Sequence, residues 1–163
     1  MRTVLIVMVF TVLCGLNAVC LAGAATPAFG AEIAISADKE ADELSALANE
    51  ARWLELLAAA TDASHRNPDK VFPIICKLKS LRMLGDTDAG LAQADQALLR
   101  FPGDPYLLLE RAWIQTFKAA WPKALADAQA ASEGKPDLSE ALIVQGIAYR
   151  EMRDWDHALA VFT

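Results

Sequence analysis

Only a few side chains in this 163-residue chain are of types that do chemistry, and their spacing does not combine them. His65 and His157 are the only histidines, and neither has a second ligand at the spacing a metal needs. His157, in Asp154-Trp155-Asp156-His157, reads as a solvated helix residue. Cys76 lies among Ile74, Ile75 and Leu78 at helical spacing, with no base near it in sequence. That places it as a small buried apolar residue. Glu40, Asp42 and Glu43 form an acidic cluster, which the N-terminus of a solvated helix explains. Paired carboxylates acting as acid and base need a pocket to work in. There is no glycine-rich phosphate loop and no nucleophile elbow. The chain is therefore expected to carry no catalytic residue, no metal and no cofactor, which leaves recognition as its chemistry.

Recognition surfaces are positioned by helices, and the C-terminal stretch Ser139–Thr163 displays them most clearly. It reads as an amphipathic helix, a tight turn at Met152–Asp154 and the start of a second helix. A fixed period runs upstream from it. Pro68, Pro102 and Pro136 are evenly spaced, and Ala63, Ala97 and Ala131 each precede one of them by five positions. Trp53, Trp121 and Trp155 fall on the same lattice. Self-similarity at such a period is the signature of a repeat architecture.

Within the last stretch, Leu142-x2-Gln145-Gly146-x2-Tyr149 is followed by Ala158-x3-Phe162. This resembles the tetratricopeptide repeat, whose pattern is W-x2-L-G-x2-Y, then A-x3-F, then P, with a period equal to the proline spacing of this chain. Leu142 in place of Trp and Gln145 in place of Leu depart from it, the latter a poor core residue. The resemblance covers about residues 37–163 and implies an all-α, right-handed superhelical solenoid of antiparallel helix pairs with a concave inner surface. Alternating helical stripes and short loops lead to the same class, because each pair must bury its apolar face on a neighbour.

Four units follow, at 37–70, 71–104, 105–138 and an incomplete 139–163. In the first, Leu44 and Leu47 mark one helix, and Trp53, Leu56, Leu57, Ala60 and Ala63 mark another. Glu40 and Glu43 stand where the motif has large apolar residues. Only Asn49 suggests a turn between the helices, so a single longer helix stays open. In the second unit Pro73 falls in the first turn of a helix, where it is tolerated. Gly85 is expected as a left-handed C-cap, with Asp86 or Thr87 capping the next helix. Gly90 replaces the usual Ala at up to ~1 kcal/mol in a helix interior. In the third, Asp104-Pro105 opens a helix as N-cap and first residue. Leu108, Ala112 and Gln115 fit the motif and Arg111 does not. After Trp121-Pro122 come the small residues Ala124, Ala128 and Ala131.

Composition and charge narrow the partners. Net charge is −6, and Arg2 is the only charged residue in the first thirty. Without that stretch, 14 basic against 21 acidic residues give −7. An acidic domain lacks the clustered Lys and Arg that phosphate binding requires, which excludes nucleic acid. Hydrophobic residues make up 55% of the chain, partly because the first thirty are so apolar. Arg2, the apolar run Thr3–Cys14 and the small residues Ala22-Gly23-Ala24 and Ala28-Phe29-Gly30 form a signal-peptide pattern over residues 1–30. Residues 31–36 follow as a linker. Thr3–Ala25 is also long enough to span a bilayer, so an uncleaved anchor stays open. Cys14 and Cys20 lie in this leader and leave Cys76 alone, so no internal disulfide holds the fold. The protein is expected to be exported, periplasmic or secreted, or else anchored in the inner membrane.

The resemblance also implies where binding occurs, since the first helix of each pair lines the inner surface. Steps of one period along that stripe give Phe72, Tyr106 and Glu140, then Ile75, Leu109 and Ile143, then Lys79, Trp113 and Ile147. The candidate partner-binding residues are Phe72, Ile75, Lys79, Tyr106, Leu109, Trp113, Ile143 and Ile147. Of these only Lys79 has the character used to grip a carboxylate. The rest suit an apolar peptide or amphipathic helix. A second reading makes Trp113 ordinary core, packed on Leu109 and Ile147. The expected function is a non-catalytic protein–protein interaction scaffold of the envelope or periplasm, alternatively an anchored accessory subunit of a larger envelope assembly, and in third place an enzyme whose site the sequence does not display. The incomplete fourth unit adds an expectation of self-association, of a binding partner that completes the stack, or of a natural product that continues past Thr163.

Overall fold

The computed structural model describes residues 39–162. The molecule divides into two units, Met1–Asp42 and Glu43–Thr163. Of the first, only helical residues 39–42 are described; the leader and linker lie outside the described residues. The second unit is all-α. Its helices are α1 (43–49), α2 (Trp53–Arg66), α3 (Val71–Met83), α4 (Thr87–Arg100), α5 (Pro105–Phe117), α6 (Trp121–Gly134), α7 (Ser139–Glu151) and α8 (Trp155–Ala160).

The sequence lattice reappears in the backbone. Ala51, Gly85, Ala119 and Arg153, each one period after the last, have φ of 56°, 82°, 54° and 63°. Each follows the first helix of a pair. In each case the next residue's N–H donates back to a carbonyl five positions earlier: Arg52 to Leu47, Asp86 to Leu81, Ala120 to Gln115 and Asp154 to Tyr149. These are four Schellman closures. Glycine occupies the left-handed position only once, although that conformation costs other residues about 1 kcal/mol. The first unit therefore turns at Ala51 with no glycine or proline to announce it, and two helices form there. Capping is equally local. The carboxylate of Asp86 accepts from Ala89 N, that of Asp104 from Tyr106 and Leu107 N, and that of Asp154 from His157 N.

From α2 onward each helix packs on its successor, and α5 also packs on both α3 and α7. Small residues permit the close approach. Ala60, Ala94 and Ala128 are fully buried at matching positions, as are Ala63 and Ala131, with Ala97 at 4% exposure. The core runs from pair to pair. Leu44, Leu47, Leu56 and Cys76 join α1, α2 and α3; Leu78, Ala94 and Leu107 join α3, α4 and α5; Leu108, Ala128 and Val144 join α5, α6 and α7. Gly90 has a packing reason, since a Cβ there would lie 3.0 Å from Ile114 Cδ1.

The motif's departures are resolved by side-chain pairing. At the position of the usual Leu, Lys77 Nζ donates to Gln93 Oε1 at 2.9 Å. One period on, Arg111 makes two 2.7 Å bonds to the Asp127 carboxylate and a third, at 2.8 Å, to Asp95. Gln145, 8% exposed, donates to Ser132 Oγ at 2.7 Å and to the Ala128 carbonyl at 3.2 Å. Lys77, Arg111 and Gln145 are tolerable at this position because each has a hydrogen-bond partner.

Candidate functional site

First helices α1, α3, α5 and α7 all contribute to one groove of about 280 Å³. Its apolar part is built from Phe72 and Ile75 of α3, Tyr106 and Leu109 of α5, and Leu138 just before α7. Phe72 and Tyr106, one period apart, are 40% and 41% exposed, so each presents a large part of its ring. Lys135 Nζ stands 5.8 Å from the centre of the Tyr106 ring, a cation–π contact that orients it. Ser45, Ala48 and Asn49 of α1 close the end nearest the N-terminus.

The charged groups of the groove are Lys79, Glu110 and Glu140. Glu110 is 6% exposed, and its Oε2 accepts from Arg82 Nε at 3.2 Å. Burial pushes its carboxyl above the usual carboxylate range, and the Arg82 and Lys79 charges partly oppose that. The Arg82 guanidinium also lies 5.5 Å from the centre of the Trp113 ring. Arg82, Glu110 and Trp113 thus tie α3 to α5 beneath the groove. Cys76 also lines it, and burial pushes its thiol up to about 11. At neutral pH it is a protonated apolar group rather than a nucleophile.

The structure divides the sequence-derived stripe. Phe72, Ile75, Lys79, Tyr106 and Leu109 line the groove together. Leu109 is only 4% exposed and belongs to the core joining α5 to α7. Trp113 is half-buried and packs on that same core. Ile143, 44% exposed, and the half-buried Ile147 stand on α7 outside the groove's lining. Glu110, Leu138 and the α1 residues were missed by the stripe. Glu110 directly follows Leu109, but its partner Arg82 is 28 residues away and no local pattern links them.

Two larger clefts differ in character. That between α1 and α2, about 460 Å³, is lined by Glu43, Glu50, Arg52 and Glu55. Arg52 pairs there with both Glu50 and Glu55 in an exposed network, so the cleft is a solvated polar face. The cleft between α4, α5 and α6, about 380 Å³, contains the Arg111–Asp127 pair. Gln115 Nε2 donates to Asp127 there, at 2.9 Å, and its buried Oε1 has no hydrogen-bond partner among the described residues. His157 Nδ1 sits 2.8 Å from the Asp154 carboxylate, and its ring stacks on Tyr149 with centres 5.2 Å apart. Both imidazole and carboxylate are well exposed, and the Asp154 carboxyl is lowered chiefly by this hydrogen bond.

No family model matches the chain, and no curated protein matches it in sequence. Solved structures do match in fold. One is Naa15, in the Naa15/Naa10 structure bound to HypK-THB, with TM-score 0.67 and 15% identity; the match covers 77% of this chain and 19% of that one. A second is MamA from Desulfovibrio magneticus RS-1, with TM-score 0.63 and 14% identity over 77% of this chain and 71% of that one. A third is a tetratricopeptide repeat protein from Parabacteroides merdae, with TM-score 0.59 and 18% identity over 78% and 51%. The chain spans about a fifth of the length of the first of these. At such identities the likeness is one of fold, and this chain is a tetratricopeptide-repeat-like all-α protein of consecutively packed helix pairs.

Proposed function

We propose that this protein is a non-catalytic interaction module that holds an apolar peptide or amphipathic helix against α1, α3, α5 and α7. The observation that carries this reading is the pair Phe72 and Tyr106. Two aromatic rings, one period apart, are each about 40% exposed in a groove whose lining also includes the apolar Ile75, Leu109 and Leu138 and the charged Lys79, Glu110 and Glu140. A half-exposed aromatic beside a buried apolar floor is the usual anchor for a partner side chain. At about 280 Å³ the groove lies below the range of drug-sized ligand pockets and suits side chains of a bound segment. Solved neighbours of the same fold include one recorded with bound protein chains. An acidic chain and a signal-peptide pattern over residues 1–30 support a protein partner outside the cytoplasm, in the periplasm or cell envelope. The unbroken apolar run in that leader supports a second reading, an accessory subunit held at the inner membrane by an uncleaved anchor. No helix among the described residues is long and apolar enough to cross a membrane.

A photo-crosslinking residue placed at Tyr106 in the native host tests the groove, with Leu54 on α2 as control. Leu54 is 72% exposed and equally apolar, but lies outside the groove. A discrete protein adduct is expected from position 106 and none from 54. Equal yields from both positions would mean that the groove has no special affinity.

A further inference from the structure

The groove crosses the first helices obliquely. It takes residues between 45 and 49 near the end of α1, between 72 and 79 in α3, between 106 and 110 in the first half of α5, and Leu138 and Glu140 at the start of α7. Each successive helix thus contributes an earlier part of itself. The same stagger lets Arg82, near the end of α3, meet Glu110 and Trp113 in the middle of α5. Charge is distributed unevenly along this path. Glu110 and Arg82 pair with each other at mid-course. Lys79 on α3, half-buried, and Glu140 on α7, exposed, have no ion pair among the described residues. They act on the Glu110 carboxyl in opposite senses, Lys79 lowering and Glu140 raising its pKa, so both lie within electrostatic reach of the middle of the groove. Glu110 itself, 6% exposed, is bonded through Oε2, and its Oε1 has no hydrogen-bond partner among the described residues. A carboxylate oxygen left over in a groove wall is a ready acceptor for a main-chain N–H.

We infer that the groove takes an extended peptide segment whose apolar anchor, seated between Phe72 and Tyr106, is flanked by an acidic residue toward Lys79 and a basic residue toward Glu140. This deepens the binding role proposed above and rests on it. Charge complementarity selects the flanks, because each unpaired charge of the groove is met by its opposite and no like charges are brought together. Glu110 selects the extended form. A helix spends its main-chain N–H groups internally, whereas an extended segment has them free for Oε1. The reach agrees. Two steps of about 8–10 Å between neighbouring helices separate α3 from α7, a span that about six extended residues cover at roughly 3.3 Å each.

A phage library of random dodecapeptides, panned on the full chain in mild non-ionic detergent that disperses the apolar leader, reads this preference. The double variant Phe72→Ala, Tyr106→Ala serves as the reference. The enriched pool should carry an acidic and a basic residue about six positions apart, in either order, around an apolar one. On Glu140→Lys the basic flank should give way to a second acidic one, and on Lys79→Glu the acidic flank to a second basic one. Exchanging either flank of a selected peptide for glutamine should weaken its binding about threefold to fivefold, as for a partly exposed ion pair. Glu140 is exposed in the first turn of α7, so Glu140→Lys keeps the fold and decides the matter if Lys79→Glu lowers the melting temperature. Apolar residues enriched at helical spacing, or flanks that Glu140→Lys leaves unchanged, would overturn the inference and leave the groove as a binding site. A pool no different from that on the double variant would remove the binding site itself, and the inference with it.

Discussion

The third and fourth helix pairs share a register and differ in what lies over them. Trp121 and Trp155 are equivalent, as are Leu125 and Leu159, and Ala112 and Gly146. In the third pair α7 covers the interface, and the equivalent side chains are half-buried or buried. In the fourth, α8 has no buried residue at all. Both pairs close their first helix with a left-handed residue and the same backbone hydrogen bonds. Local structure is thus set within a few turns of chain, whereas burial is set by the next element. The polar substitution at the motif's Leu position follows the same division. Arg111 is held inside its own pair by Asp127 as well as by Asp95 of the pair before, while Gln145 turns back to Ser132 and Ala128 of the pair before.

The largest test of this contrast removes those partners. Asp127, 8% exposed, accepts from Arg111 and Gln115 together. Asp127→Ala leaves a cation that is largely buried with only Asp95 for company. It should cost about 3 kcal/mol, the low end for breaking a buried pair. Gln145→Ala loses two neutral hydrogen bonds and should cost about 1 kcal/mol. Urea denaturation of the two variants measures the difference, and equal losses would mean that the third pair is no more tightly locked than the fourth.

A smaller effect concerns close approach. A Cβ at Gly146 would lie 2.5 Å from Cε2 and Cζ of Phe162, so any larger residue there forces that ring to shift. The third pair has Ala112 and Ala128 at the same two places, both fully buried. Gly146→Ala should therefore destabilise by about 1–3 kcal/mol through overpacking. In a Phe162→Ala background the same change should become neutral or stabilising by up to about 1 kcal/mol, from helix propensity alone. A double-mutant cycle with no coupling would show that Phe162 does not hold α8 on α7.

The smallest expected effect is where the two pairs agree. Ala119 and Arg153 both sit at positive φ, which only glycine adopts without strain. Glycine at either position should raise stability by about 0.5–1 kcal/mol, and equally, because the cost is local to the turn. A thermal melt showing gain at 119 and loss at 153 would mean that the side chain of Arg153 contributes more than the strain it brings.

What was legible in the chain follows the range of the forces involved. The repeat period, the caps at Asp86 and Asp104, the left-handed Gly85 and the all-α class follow from neighbours within a turn or two, so the residues themselves specify them. The turn at Ala51 was not legible, because tertiary packing overrides the preference of an alanine for negative φ there. The groove was legible in part. Phe72 and Tyr106 were reached by counting, since their exposure follows from register. The burial of Leu109 beneath α7 and the pairing of Glu110 with Arg82 depend on helices that meet only after folding. A repeated residue type carries its helix face with it along the chain. Whether that face is core or surface is decided by what packs upon it, as Trp121 and Trp155 demonstrate from identical register.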